Sequence, residues 1–88
     1  MLQYKSMLRE FLSTYAETLR KARNLSQEQM AEQLRITPRA YSNLCCGRFC
    51  FSTLPLLSLL LMLDSKELNA FQRWLRGRMN ELEANHES

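Results

Sequence analysis

Glycine and proline are scarce in this sequence, with two of each in 88 residues, and there is a single histidine. So little of both excludes a flexible linker, a collagen-like repeat or a low-complexity tract. His86 has no nucleophile or carboxylate partnership around it, so it is expected to be a solvated tail residue rather than a catalytic base. Gly-rich phosphate loops, paired acids and nucleophile motifs are missing as well, and no enzyme is expected. Long apolar runs are also absent. The longest, residues 54–63, covers ten positions interrupted by Pro55 and Ser58, against the roughly 20 that a bilayer crossing needs. Residues 1–10 include Gln3, Lys5, Arg9 and Glu10, which leaves no signal-peptide core there. Three cysteines, Cys45, Cys46 and Cys50, cannot all pair within one chain, and the neighbours Cys45 and Cys46 are poorly placed to pair with each other. Free thiols fit a reducing, cytoplasmic setting. The Cys-Cys-x-x-x-Cys pattern has no second ligand pair and no nearby His, so neither a metal nor a cofactor is expected. Cys45 reads as a small buried hydrophobe. Oxidation sensing at Cys46 and Cys50, beside Arg48, is the lesser alternative.

What is present points to one small helical domain over residues 1–88, with its core in residues 7–64. Hydrophobic residues make up 45% of the chain and charged residues 24%, a balance that supports a packed core. The net charge of +3 is uneven: residues 1–50 carry +4 and residues 51–88 carry −1. A basic first half is compatible with a polyanion partner.

No alternating strand pattern, repeat or linker is found, and helical spacing recurs five times. A first helix is expected over 3–23, with Leu8, Phe11, Leu12, Tyr15, Leu19 and Ala22 on one stripe and Asn24 ending it in the left-handed conformation. Ser26 and Gln29 form a capping box, with Leu25 and Met30 as its hydrophobic staple, and open a second helix over 27–34. Thr37 caps a third over 38–46, Pro38 suits its first position, and Gly47 stops it. A fourth helix is expected over 53–63 and a fifth over 65–84, the latter capped by Asp64 with Glu67, before a frayed tail.

The second and third helices are joined by only Arg35-Ile36-Thr37, so they must cross steeply. That is a helix-turn-helix unit, whose second helix can lie in the DNA major groove. The run LRKARNLSQEQMAEQLRITPRAYSNLCCGRFCFSTLPLLSLLLML, residues 19–63, resembles the lambda-repressor-like (Cro/repressor, XRE) helix-turn-helix family. Leu25-Ser26-Gln27, Ala31, Leu34, Ile36, Thr37, Ser42, Leu44 and Gly47 stand where that family's pattern puts them. The resemblance implies an all-α, five-helix fold that binds double-stranded DNA in a specific sequence and regulates transcription, most often as a repressor. By position, Pro38, Arg39 and Asn43 match the places where the family reads base edges, Arg39 suiting guanine and Asn43 adenine. Gln27 matches a phosphate-binding glutamine at a helix N-terminus, while Thr37, Ser42 and Arg48 match supporting or phosphate contacts. Lys5, Arg9, Arg20, Lys21 and Arg23 are expected to add phosphate attraction.

This sequence departs from the family pattern in four places. Pro38 stands where a hydrogen-bonding side chain is common. Arg35 fills a turn position often held by Gly, at a cost of about 1 kcal/mol if its backbone is left-handed. Cys45 replaces a Glu that commonly pairs with the arginine matching Arg20, which leaves Arg20 to Glu17 or to solvent. The stretch Arg48-Phe49-Cys50-Phe51 lacks the extra basic residues and the proline often found there.

The fourth helix is apolar on every side, more than an 88-residue bundle easily covers. The fifth helix is expected to cover part of it through Phe71, Trp74 and Leu75, and a second copy of the chain to cover the rest, with Leu57, Leu60 and Leu61 at that contact. The rival reading is a protein-interaction module, or an antitoxin-like regulator, whose leucine-rich fourth and fifth helices bind a partner protein.

Overall fold

A computed structural model describes the backbone of residues 2–87 and the side chains of residues 4–84, so the side chain of His86 lies outside the described residues. Five helices follow one another: α1 (Leu2–Ala22), α2 (Gln27–Gln33), α3 (Pro38–Cys45), α4 (Thr53–Leu61) and α5 (Ser65–Glu87). The described residues contain no strand.

The helix starts follow from local chemistry. The Ser26 hydroxyl accepts from the Gln29 amide (3.0 Å), and the Gln29 side chain accepts from the Ser26 amide (2.8 Å). The Thr37 hydroxyl accepts from the Ala40 amide (3.1 Å), with Pro38 next to it in the first turn. Asp64 and Glu67 form a third reciprocal pair, at 2.8 and 3.1 Å. Each such cap satisfies amides that a helix start leaves without partners, typically worth about 1 kcal/mol. Ser52 precedes α4 without a side-chain cap.

The ends of α1, α2 and α3 share one device. Asn24, Arg35 and Gly47 each take a left-handed backbone, at φ 56°, 62° and 76°. In each case that residue and the next donate back into the last turn: Asn24 and Leu25 to Lys21 and Arg20, Arg35 and Ile36 to Glu32 and Ala31, Gly47 and Arg48 to Leu44 and Asn43. These are three successive Schellman motifs. Only Gly47 adopts this conformation without steric cost, so Arg35 carries the penalty its position implied.

The core is sealed around Ala16, Met30, Ala31, Leu34, Tyr41 and Leu59, all with no exposed surface. Helix α1 buries Met7, Leu12, Tyr15, Ala16 and Leu19. The buried stripe therefore takes in Ala16, and Ala22 is exposed, lining a groove between α1 and α5 with Ala70 and Trp74. Helix α1 has just reached its Schellman turn at Ala22, where the chain leaves the core.

Helix α5 packs antiparallel along α1. Tyr4 near the start of α1 donates to Glu83 near the end of α5 (3.2 Å), and Arg23 just past α1 pairs with Glu67 in the first turn of α5 (2.6 Å). Between them, Phe71 meets Phe11 and Tyr15 with ring centroids 5.6 and 4.9 Å apart, and Trp74 meets Tyr15 edge-on at 5.9 Å. Phe71 shares the core cluster with Leu59 of α4, and the ring partners of Phe71 and Trp74 lie on α1, whose aromatic ladder offers the tilted contacts such side chains prefer. Two boundaries also move. Helix α4 ends at Leu61, two residues early, in a tight turn where Met62 and Leu63 donate to Leu59 and Leu60. Helix α5 continues to Glu87, past the expected fraying point, because no Gly or Pro follows Ala84 to stop it.

Candidate nucleic-acid interface

Helices α2 and α3 pack against each other across the turn Leu34-Arg35-Ile36-Thr37. The inward side of α3 holds Tyr41 and Leu44, both buried. Its outward side holds Arg39, Ser42 and Cys46, all exposed, and Asn43, half-buried; these four fall at steps of three and four. Pro38 and Thr37 are exposed at the head of the same helix. Gln27, at the first position of α2, and Arg48, just past Gly47, are exposed as well. Arg39, Ser42 and Asn43 therefore share the solvent-facing side of α3. Arg39 makes no hydrogen bond or ion pair within the described residues, so its planar fork of donors is free. Cys46 completes this outward stripe. The spacing 39, 42, 43, 46 signals its position, although a cysteine does not stand out as a contact residue.

A carboxylate on α1 holds α3 in place. The Tyr41 hydroxyl donates to Glu17 Oε2 at 2.5 Å. Arg20 donates to both oxygens of the same carboxylate, at 2.9 and 3.0 Å, and through its remaining amine to the carbonyl of Leu25 at 2.9 Å. One acid thus ties together α1, α3 and the turn that enters α2. Arg20's hydrogen bonds, with Tyr41's, hold the Glu17 carboxyl below its ordinary range, although partial burial pushes the other way. Burial, and then the bond to Glu17, push the Tyr41 hydroxyl well above its ordinary range. Glu17 thereby takes the place of the glutamate that position 45 lacks. The i, i+3 spacing of Glu17 and Arg20 is readable in the sequence, but Tyr41 reads only as core, and its hydroxyl bond does not show there.

Two of the cations expected to add phosphate attraction have partners within the fold. Arg20 spends its donors on Glu17 and Leu25, and Arg23 pairs with Glu67. Lys5 and Lys21 are exposed, and Arg9 is half-buried. The candidate partner-facing residues also divide. Leu57 and Leu61 are 52% and 77% exposed and Trp74 is 57% exposed, whereas Leu60 and Leu75 pack half-buried against the core. Phe71 is inside the core, closed in by Phe11 and Tyr15, and has little surface to give a partner.

The three thiols are free: Cys46 is exposed, and Cys45 and Cys50 are half-buried. Cys45 donates to the Ser42 carbonyl (3.4 Å), and burial pushes its thiol upward, away from the reactive thiolate. Among the described residues, no group of three His, Cys, Asp or Glu could hold a metal ion. Among them too, no helix is long and apolar enough to cross a membrane.

A family model described as helix-turn-helix matches residues 17–61, just over half of the chain. The match begins at Glu17, the carboxylate that anchors α3, and ends with α4. No curated protein and no solved structure matches the chain.

Proposed function

Because the chain belongs to the Cro/repressor-type (XRE) helix-turn-helix family of DNA-binding transcription regulators, we propose that it reads a specific duplex sequence with α3 in the major groove. The observation that carries this reading is the division of α3 into two faces. Tyr41 and Leu44 seat the helix against α1 and α2, while Arg39, Ser42 and Asn43 face outward from a rod capped at both ends. In this reading Arg39 donates two bonds to a guanine and Asn43 pairs with an adenine. Pro38 packs against a base edge at the head of the helix, Ser42 and Thr37 support at short range, and Gln27 and Arg48 hold phosphates on either side.

We further propose a homodimer acting as a repressor by occupying its site. Leu54, Leu57 and Leu61 form an exposed stripe on α4 at steps of three and four, and the single chain leaves it uncovered. A two-fold contact there would present two reading helices to successive major grooves about 34 Å apart, and so favour a near-palindromic site. The same exposed stripe favours a second reading, in which a partner protein occupies it.

Selection of bound sequences from a random duplex pool tests the proposal. Enrichment of a palindromic site with half-sites about one helical turn apart is the expected result. A pool that stays unenriched while the protein remains folded overturns it. Light scattering on the purified protein, alone and with DNA, separates a homodimer from a monomer that awaits a partner.

A further inference from the structure

Along α5, Lys66, Asn69, Arg73, Arg76 and Asn80 recur at steps of three and four, and all five are exposed. At 100° per residue they lie on the side of the helix opposite the seam formed by Glu67, Phe71, Leu75 and Leu82. The stripe holds three cations and no acid. No Asp or Glu stands three or four residues from any of the three, so none can form the ion pairs that usually neutralise a solvated helix face. Nor does any of them have a hydrogen-bond or ion-pair partner within the described residues. Arg73 and Arg76 are one turn apart, a like-charge juxtaposition that the fold leaves uncompensated. The half of the chain with net charge −1 therefore carries, from Lys66 to Asn80, three cations and no acid on one face; the next residue on that face, Glu83, accepts from the Tyr4 hydroxyl.

We propose that this outer face of α5 is a second phosphate-binding surface, which engages the backbone of duplex DNA independently of α3. Charge complementarity selects the occupant. A second copy of α5 would set cations against cations. The stripe contains no apolar or aromatic side chain, so it lacks the anchor that lets an amphipathic helix settle into a lipid interface. From Lys66 to Asn80 it runs about 21 Å at 1.5 Å per residue, a reach comparable to about six phosphates along one strand. Lys and Arg supply the charge, and the two Asn amides add neutral donors to phosphate oxygens. The choice of DNA over another polyanion rests on the family reading above. Because α5 packs on α1 and turns this face to solvent, the contact would hold DNA without involving the α3 stripe, either as flanking sequence or as a second duplex.

The test uses the full chain and a random-sequence duplex as probe. Lys66→Gln/Arg73→Gln/Arg76→Gln removes three charges from exposed positions, replaces them with a residue of similar helix propensity, and should leave the circular dichroism spectrum unchanged. Fluorescence anisotropy is read between 50 and 200 mM salt. The slope of log affinity against log salt should fall by about 2.7 relative to the native chain, at about 0.9 per lost phosphate contact, with at least a tenfold loss of affinity at the lower salt. In Arg39→Ala/Asn43→Ala/Arg48→Ala, preference for the selected site should vanish while the contribution of α5 to the slope persists. An unchanged slope in the glutamine variant overturns the proposal. So does a loss confined to binding of phosphatidylglycerol vesicles, which would mark the face as a lipid contact. A native chain that binds no duplex at all overturns the family-based reading instead, so the two failures are distinguishable.

Discussion

The Tyr41 hydroxyl and the Glu17 carboxylate, 24 residues apart in the chain, meet at 2.5 Å and set the position of α3 on α1. Removing the hydroxyl leaves the ring in its buried site but takes one charge-assisted bond from the carboxylate. Tyr41→Phe should cost about 1.5–3 kcal/mol, the range for a hydrogen bond to a charged group. Thermal or urea unfolding measures it. A loss well below 1 kcal/mol would show that solvent replaces the bond readily.

The same acid gives the fold a pH dependence with a definite sign. Arg20 and Tyr41 hold the folded-state value of Glu17 below its ordinary 4.5. The stabilisation is therefore fully present above that ordinary value and is lost as pH falls through the depressed one. Glu17→Gln should be less stable than the native chain near neutrality, and the gap should narrow as the solution is acidified. Parallel melting curves at stepwise lower pH show whether the gap closes. Tyr41 acts at the other extreme: its hydroxyl is pushed above its ordinary 10.0, so its contribution is complete below that value and declines as pH rises above it.

Two glycine exchanges should both stabilise the fold, for opposite reasons. Arg35 sits at φ 62° with an exposed side chain, and Arg35→Gly removes the Cβ strain, worth about 0.5–1 kcal/mol after the entropy glycine adds to the unfolded chain. Gly77 lies inside α5, and an added Cβ would meet nothing within 4 Å. Gly77→Ala should add about 0.5–1 kcal/mol by ordinary helix propensity. Denaturant midpoints of the two variants read both effects directly.

Arg39 and Arg48 should separate base reading from backbone holding. Arg39→Ala is expected to cost about 1–3 kcal/mol on the preferred site and to relax discrimination at one base pair. Arg48→Ala should weaken all sequences alike and reduce the salt slope by about one. Competition binding with single-base-substituted duplexes measures both. Equal losses on every duplex for Arg39→Ala would identify it as a phosphate contact.

If the α4 stripe is the self-association face, Leu57→Glu/Leu61→Glu should shift the protein to monomer without unfolding it, since both side chains are more than half exposed. Sedimentation velocity reads the change. Affinity for a palindromic site should fall more steeply than affinity for a single half-site, because the linkage between halves is lost.

The parts of this fold that were legible in advance are those determined within four residues of chain. The Ser26–Gln29 and Asp64–Glu67 boxes, the Thr37-Pro38 start and the stops at Asn24 and Gly47 each depend on a donor and an acceptor fixed by local geometry. The outward placement of Arg39 and Ser42 follows once those starts are known, because helical phase does the rest. Contacts between distant segments were not legible. Arg23 reads as a free cation until α5 folds back and brings Glu67, 44 residues later, to 2.6 Å. Phe71 and Trp74 read as cover for α4, and the aromatic partners they also find on α1 do not show in the spacing of α5. The cationic stripe of α5 was hidden for a simpler reason: its surrounding half of the chain is net acidic, and a sum over residues erases the face on which they stand.

The stops that close α2 and α3 involve backbone carbonyls and amides, and the start of α3 uses only Thr37 and Pro38. None of these devices draws on the side chains at 39, 42, 43 or 46. Those four positions can therefore be exchanged while the scaffold that carries them stays as it is.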